Sequence, residues 1–208
     1  MSLAEQLAQG IAELGLHVST AAQRKLLDYL ALIAKWNRVH NLTAVREDAK
    51  MVSDHLLDCL AVAPHLEART VLDVGSGAGL PGIPLALTWP QARVTLLDSN
   101  HKKAAFLRQA MIELGLENTE VVCERVETWQ PQRVFELVIS RALSDLREFL
   151  NLAGRLCAAN GTVAAMKGLY PHEELAQLPS GFSLRGVVAL KVPGMRAQRH
   201  LVLLNPVR

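Results

Sequence analysis

The stretch from 71 to 87 contains the residues whose types and spacing are best suited to chemistry. It reads VLDVGSGAGLPGIPLAL, in which a short apolar run containing Asp73 is followed by four glycines within eight residues and then by a second apolar run. Strand, glycine turn and helix form the pattern in which a backbone comes close to a ligand and offers it free N–H groups. Asp98 ends the next apolar run, 94–97, and lies 21 residues after Gly77. Because an acid at this distance is suited to the hydroxyls of a ribose, the stretch predicts a nucleoside-type cofactor.

Two classes of cofactor fit this pattern, and the position of Asp73 decides between them. The run from Gly77 to Gly82 matches the GxGxxG fingerprint of dinucleotide sites, whereas the run from Asp73 to Gly79 has the form D-x-G-x-G-x-G. The first turn of a dinucleotide site holds a pyrophosphate, which an acid just before that turn would repel. S-adenosyl-L-methionine has no phosphate and carries a sulfonium cation, which an acid favours. The sequence therefore predicts an S-adenosyl-L-methionine site that includes Asp73, Gly77 and Asp98, with a nicotinamide oxidoreductase left open as an alternative.

The composition indicates one domain of the α/β class. The chain has 208 residues, half of them hydrophobic, and a formal net charge of +2 at pH 7. We therefore expect a single domain over 1–208, in which any basic surface for nucleic acid is local. Three cysteines without CxxC spacing argue against a disulfide framework and against a metal site. The chain starts without the basic segment of a signal peptide and has no apolar run long enough to span a membrane, so we expect no membrane association and a cytoplasmic protein.

Apolar periodicity predicts a helical N-terminal extension over 1–65. The first helix carries an apolar stripe, and Thr20 with Gln23 fits a capping box that opens the second helix. The polar stretch 36–43 is expected to be irregular, and a third helix is expected near 48–63.

Alternating strand and helix patterns predict the cofactor-binding core over 66–208. The strand-like runs are 71–74, 94–97, 120–123, 134–140 and 162–166. Ser144 is expected to open the helix before the fifth strand, and Asn-Gly at 160–161 to form the turn into that strand. The tail, 184–204, contains two strand-like runs joined by Pro-Gly-Met-Arg at 193–196, which predicts a hairpin at the edge of the sheet.

Several short segments resemble one family of bacterial enzymes. The most specific are KWN at 35–37, NLT at 41–43 and the GLPGIP continuation of the glycine loop at 79–84. The others are HLLD at 55–58, LDS at 97–99, RVE at 125–127, SRA at 140–142, KG at 167–168 and RHL at 199–201. Through these segments the chain resembles the GidB (RsmG) methyltransferases, which methylate N7 of a guanine in 16S ribosomal RNA.

The resemblance implies a Rossmann-like class I methyltransferase fold. Its sheet is mostly parallel and seven-stranded, with six parallel strands and one antiparallel strand, helices on both faces and the helical N-terminus packed beside it. S-adenosyl-L-methionine is the implied cofactor, and its contacts carry over to Gly75, Leu80, Val126, Glu127 and Arg141. The implied partner is 16S ribosomal RNA or a precursor of the small ribosomal subunit, and we expect the enzyme to act as a monomer.

Methyl transfer to guanine N7 does not require a strong general base. The nitrogen has a free lone pair and no proton to remove, so the site must mainly align the reactants and exclude water. Arg141 follows the fourth predicted strand, at the edge where open α/β sheets bind ligands, and is the predicted catalytic residue. Asp73 and Glu127 are candidates for stabilising the added positive charge of the product. His55 and Asp58 are expected to tie the third helix to the loop after the first strand, in preference to forming a catalytic pair.

Basic residues that would contact RNA phosphates are dispersed along the chain. The candidates are Lys35, Arg38, His40, Arg46, Lys102, Lys103, Lys167, Arg196, Arg199 and His200. Aromatic residues, 4% of the chain, are too rare to predict a stacking platform on the sheet, and Trp36 is expected in the core. Two further alternatives stay open: a methyltransferase acting on another RNA, a protein or a small molecule, and a cofactor-binding RNA chaperone without transfer activity.

Overall fold

A seven-stranded sheet organises the protein, whose computed structural model describes residues 1–141 and 145–207. The strands are β1 (Thr70–Val74), β2 (Arg93–Leu97), β3 (Thr119–Val122), β4 (Phe135–Ser140), β5 (Cys157–Lys167), β6 (Phe182–Leu190) and β7 (Arg199–Pro206). Their order is β3-β2-β1-β4-β5-β7-β6, and all neighbours from β3 to β5 pair in parallel. Because β7 is antiparallel to both β5 and β6, six strands run one way and one runs the other, which confirms the expected sheet.

Helices cover both faces of this sheet, as expected. They are α1 (Leu3–Glu13), α2 (Thr20–His40), α3 (Asp48–Met51), α4 (Asp58–Leu60), α5 (Gly82–Thr88), α6 (His101–Leu114), α7 (Leu146–Ala153) and α8 (His172–Leu175). The helices before β1 share one apolar core with α5, α6 and one face of the sheet. The other face packs against α7 in a second core that contains Phe135, Phe149 and Leu150.

The strands next to the cofactor loop are buried on both faces, as a parallel sheet requires. In β1, Val71 packs in the core beneath the N-terminal helices and Leu72 in the core beneath α7. Val74 pairs with Leu97 of β2, and Leu97 pairs in turn with Val122 of β3. The three loops that follow these residues therefore start at the same edge of the sheet, which is where open α/β folds bind ligands.

The N-terminal extension differs from the expected one in the length of its second helix. We expected 36–43 to be irregular, but α2 continues to His40 and ends at Asn41, whose φ of 47° is left-handed. Asn37 holds the turn that follows, since its side chain bonds both the N–H and the C=O of Thr43. The helix is capped by Ser19, whose side chain accepts from Ala22 N, and not by a Thr20 box.

We expected one regular α-helix near 48–63, but this part of the chain is not regular. Between α3 and α4 the segment Val52–Leu57 is π-helical, and five of its six residues are buried. Burial of nearly every side chain stabilises this rare wider turn. A search for apolar residues at a period of 3.6 does not detect a π-helical turn. The C-terminal part of the segment runs into α4 at Asp58.

The remaining predicted element boundaries were partly wrong and partly confirmed. The predicted turn at 160–161 is wrong, because these residues lie within β5. The pairing of β5 with β4 shifts register there. Ser144, the predicted start of α7, lies outside the described residues, and Asp145 caps the helix by accepting from Glu148 N. The predicted edge hairpin is confirmed in β6 and β7.

Among the described residues, no helix is both long and apolar enough to cross a membrane.

Candidate active site

The loop after β1 has a backbone shape that depends on glycine. Gly75, Gly77 and Gly79 have φ values of 68°, 59° and 88°, in the left-handed region that side chains disfavour. The N–H groups of Gly75 and Ser76 both donate to the carbonyl oxygen of Leu97, at 2.8 and 3.0 Å. These two bonds hold the loop against the end of β2.

Asp73 lies beneath this loop and is completely buried. Its Oδ2 accepts a hydrogen bond of 2.9 Å from Gly82 N, at the first turn of α5, while its Oδ1 has no hydrogen-bond partner among the described residues. Burial raises the pKa of this carboxyl to about 7, although the bond from Gly82 opposes the shift. The structure thus places Asp73 as a support of the loop and of α5.

Asp98 connects the loop to the end of β2. Its Oδ2 accepts from Gly77 N and its Oδ1 from Asn100 N, both at 2.8 Å. The side chain is 7% exposed, so these two bonds fix the carboxylate in one orientation. The spacing of 21 residues that predicted a shared site is here a direct contact.

A cleft of about 240 Å³ opens beside Asp98. It brings together four of the residues predicted to bind the cofactor, namely Gly75, Asp98, Val126 and Glu127. The other four do not line it: Asp73 and Leu80 are buried, Gly77 is bonded to Asp98, and Arg141 lies at the end of β4. The cleft combines a glycine backbone, the four acidic side chains of Asp98, Glu124, Glu127 and Glu148, and an apolar wall from Val74 and Val126, which fits a nucleoside with ribose hydroxyls.

A larger cavity lies at the opposite end of the strands. It measures about 710 Å³ and is lined by residues such as Arg69, Trp89 and Glu136, which precede or begin β1, follow α5 and begin β4. None of the predicted site residues lines it. The smaller cleft is therefore the candidate cofactor site, since ligands of open α/β sheets bind at the carboxyl ends of the strands.

Two residues that organise the cleft loops were missed at the sequence level. The Arg155 guanidinium donates through Nη2 to the carbonyl oxygens of Val126 at 2.8 Å and Trp129 at 2.6 Å, which holds the loop after β3. The Tyr29 hydroxyl donates to the carbonyl oxygen of Ala78 in the glycine loop, and burial raises the pKa of this phenol. No motif marks either residue, because each acts on backbone atoms that are distant in sequence.

Arg141 belongs to a second cluster, at the end of β4. Its Nη1 donates to the carbonyl oxygen of Asp54 at 3.0 Å and to Asp58 Oδ2 at 3.3 Å, while Asp58 Oδ1 accepts from Arg199 Nε at 3.1 Å. Burial raises the pKa of Asp58, and the two guanidinium groups oppose that rise. One buried carboxylate therefore holds two cations.

The expected partners of His55 and Asp58 were wrong. Asp58 ties α4 to the ends of β4 and β7, and His55 Nε2 lies 2.8 Å from Thr43 Oγ1. Burial, together with the nearby charge of Arg141, lowers the pKa of His55, so the imidazole is neutral at pH 7. These contacts connect the N-terminal helices to the site at the end of β4.

The chain's relatives identify its family. Residues 22–202 match GidB, the family described as rRNA small subunit methyltransferase G. The ribosomal RNA small subunit methyltransferase G of Nitrosospira multiformis is 59% identical over 212 residues, covering 99% of this chain and 98% of the relative. The protein of that name from Laribacter hongkongensis is 56% identical over 205 residues, covering 99% of both chains. The chain belongs to the GidB family. Its expected class, a methyltransferase with S-adenosyl-L-methionine as cofactor, is thereby confirmed.

Solved structures agree with this family on the fold. The glycopeptide N-methyltransferase MtfA, in complex with S-adenosyl-L-methionine, matches with a TM-score of 0.64 and 12% identity, over 74% of this chain and 88% of its own. A SAM-dependent methyltransferase from Aquifex aeolicus matches with a TM-score of 0.54 and 22% identity, over 72% and 90%. The expected Rossmann-like class I methyltransferase fold is therefore confirmed.

The residues predicted to contact RNA differ in their exposure to solvent. Lys35, Arg38, Arg46, Lys102 and Arg196 are exposed, whereas His40, Lys103, Arg199 and His200 are half-buried. Lys167 is buried and pairs with Glu174 Oε2 at 2.7 Å. Lys167 and His200 are opposite each other where β5 pairs with β7. Trp36 packs edge-on against Phe106, with ring centroids 5.6 Å apart, so it belongs to the core.

Proposed function

We propose that this protein transfers the methyl group of S-adenosyl-L-methionine to N7 of a specific guanine in 16S ribosomal RNA. The observation that carries the proposal is the match of 22–202 to a family described as rRNA small subunit methyltransferase G. Relatives of that name share more than half of their residues with this chain over nearly its full length. The choice of N7 and of 16S RNA follows the family resemblance of the GLPGIP and NLT segments.

The proposed cofactor residues act mainly through position. Bonds from Gly77 and Asn100 occupy one lone pair on each oxygen of Asp98, so the other lone pairs can accept from ribose hydroxyls. Gly75 lets the backbone approach closely, and the loop of Val126 and Glu127 closes the cleft opposite. When bound, S-adenosyl-L-methionine supplies an electrophilic methyl carbon on a sulfonium.

Arg141 is the proposed catalytic residue on the acceptor side. Its guanidinium is held by Asp54 and Asp58 and remains 25% exposed, so it presents a fixed cation at the end of β4. We propose that it bridges the cofactor and the guanine or its phosphate. Because N7 has no proton to remove, this chain needs no general base and contributes alignment and exclusion of water.

The proposed enzyme works as a single unit over 1–208. The N-terminal helices share a core with the sheet and contact the glycine loop through Tyr29, which supports a site built from both parts. We further propose that it acts as a monomer in the cytoplasm on 16S RNA or a small-subunit precursor. The exposed basic residues would neutralise phosphates, so RNA binding should weaken steeply as salt rises.

The test is methyl transfer from labelled S-adenosyl-L-methionine to small subunits and to naked 16S RNA, both lacking native modifications. Nuclease digestion and mass spectrometry should then detect 7-methylguanosine. Asp98→Asn should weaken cofactor binding by about tenfold through loss of charged hydrogen bonds, whereas Glu117→Gln, which changes an exposed carboxylate outside the cleft, should not. Cofactor binding without any transfer to RNA would contradict the proposal and point to a protein or small-molecule acceptor.

A further inference from the structure

An exposed aromatic cluster follows the carboxyl end of β5. Leu169 is 75% exposed and Tyr170 is 40% exposed, directly after Lys167 and Gly168. Contiguous exposed apolar and aromatic surface beside a site marks a candidate binding surface, whereas a single exposed apolar side chain does not. The segment lies at the same edge of the sheet as Arg141, since β4 and β5 are parallel neighbours.

Contacts with two histidines hold this segment in place. The Tyr170 ring lies 4.3 Å from that of His172 and 5.7 Å, edge-on, from that of His200, as measured between centroids. His200 Nδ1 lies 2.8 Å from the carbonyl oxygen of Gly168, and because a carbonyl only accepts, Nδ1 carries the hydrogen. We call Leu169, Tyr170, His172 and His200 the Tyr170 cluster.

Two partly exposed cations, Arg141 and Arg199, lie at the same edge of the sheet as the Tyr170 cluster, whose nearest acids in the chain are Glu173 and Glu174, the second of them paired with Lys167. Arg199, which precedes His200, shares the carboxylate of Asp58 with Arg141, so these two cations are balanced by one anion. Both guanidinium groups keep about a quarter of their surface exposed, at 25% and 28%. Asp58 thus links Arg141 to Arg199, which directly precedes His200 of the Tyr170 cluster in β7.

We propose that the Tyr170 cluster stacks an unpaired base of the RNA substrate that lies next to the methylated guanine. The inference rests on the proposed function and adds a structural requirement, namely that the RNA is single-stranded beside its target. Aromatic rings stack with any base, and neighbouring cations bind the phosphates on either side of it. Arg141 and Arg199 keep part of each guanidinium exposed at this edge, where RNA phosphates can use them and an apolar protein partner would not. The cluster would offer a stacking surface in spite of the low aromatic content of the chain, because the two imidazoles extend one tyrosine.

The first experiment compares RNA kinetics of Tyr170→Ala, Tyr170→Phe and the wild type. Loss of the ring should raise KM for RNA about tenfold, with kcat and cofactor affinity nearly unchanged, and Tyr170→Phe should restore the wild-type KM. Ile112→Ala is the control, because Ile112 is 75% exposed on α6, and thermal unfolding checks that all variants fold. An unchanged KM in Tyr170→Ala would overturn the inference. An inactive wild type would instead refute the proposed function.

The second experiment tests the same contact from the RNA side, by removing single bases from the substrate. Single abasic nucleotides are placed at each position flanking the target guanine, and wild type and Tyr170→Ala are compared on every substrate. At one position the abasic change should raise KM about tenfold for the wild type and not raise it further for Tyr170→Ala. If every abasic substrate keeps the full difference between the two proteins, Tyr170 does not stack on a flanking base and the inference fails.

Discussion

Asp58 and Arg141 are 83 residues apart in sequence, and their Oδ2 and Nη1 atoms lie 3.3 Å apart. Asp58 belongs to the helical segment before β1, whereas Arg141 follows β4. The carboxylate is 3% exposed and also binds Arg199, so it fixes the cation that we propose as catalytic. The N-terminal helical segment therefore helps to hold the proposed catalytic residue.

Replacing Asp58 by Asn should damage both stability and transfer. The two guanidinium groups would lose their shared anion, and we expect the free energy of unfolding to fall by about 1–3 kcal/mol, less than for fully buried cations. The displaced Arg141 should lower kcat at least tenfold, because small errors of position cost large factors in rate. Urea unfolding and single-turnover transfer measure the two effects.

The control for Asp58→Asn is Glu47→Gln. Glu47 pairs with Lys50 at 2.8 Å, but both side chains are about two-thirds exposed, at 64% and 65%. Removing this carboxylate should leave stability near the wild-type value, because exposed ion pairs contribute little. A wild-type rate in Asp58→Asn would show that Arg141 does not need this partner.

Arg155 should determine cofactor affinity without contacting the cofactor. Arg155→Ala removes the donor that binds the carbonyl oxygens of Val126 and Trp129, and the loop that closes the cleft should loosen. We expect Kd for S-adenosyl-L-methionine to rise about fivefold to tenfold, measured by calorimetry, as is typical for loss of a charged hydrogen bond. Arg133→Ala removes an exposed guanidinium paired with Glu120 and should leave Kd unchanged. Equal effects of the two substitutions would contradict this role.

Asp73 should make stability fall as pH rises. Its pKa is about 7 in the folded protein, raised by burial from its ordinary value of 3.8, so the folded state keeps this proton over a range in which the unfolded chain loses it. The stabilisation is complete below pH 3.8 and is lost as pH rises through about 7. Between pH 5 and pH 8 the wild type should lose about 3 kcal/mol more than Asp73→Asn, which can still accept from Gly82 N.

Urea unfolding at these two pH values, without cofactor, measures the difference. Asp28→Asn changes an exposed carboxylate on α2 and should keep the wild-type pH dependence. If wild type and Asp73→Asn respond equally to pH, burial of Asp73 does not control its ionisation.

The sheet and the candidate cleft at its edge could be predicted because their signals are local. Asp73, the glycines and Asp98 mark two strand ends, and the topology of a parallel sheet brings those ends together. The π-helical segment, the roles of Arg155 and Tyr29, and the partners of Asp58 could not be predicted. They depend on contacts between distant parts of the chain, as when Tyr29 reaches Ala78, and these leave no periodicity or motif in the sequence.

Gly82 should not tolerate even a methyl group, although its backbone is ordinary. A Cβ there would collide with Leu96 Cδ2 and lie 2.8 Å from Asp73 Oδ2, so strand β2 or the support of the loop must move. We expect Gly82→Ala to lower the free energy of unfolding by about 1–3 kcal/mol and to weaken cofactor binding, because the displaced Asp73 no longer supports the loop. Gly181→Ala is the matched control, since a Cβ there meets no atom of the described residues within 4 Å. Urea unfolding and calorimetric titration with S-adenosyl-L-methionine compare the two variants. Wild-type values for Gly82→Ala would mean that α5 can shift away from β1 without disturbing the glycine loop.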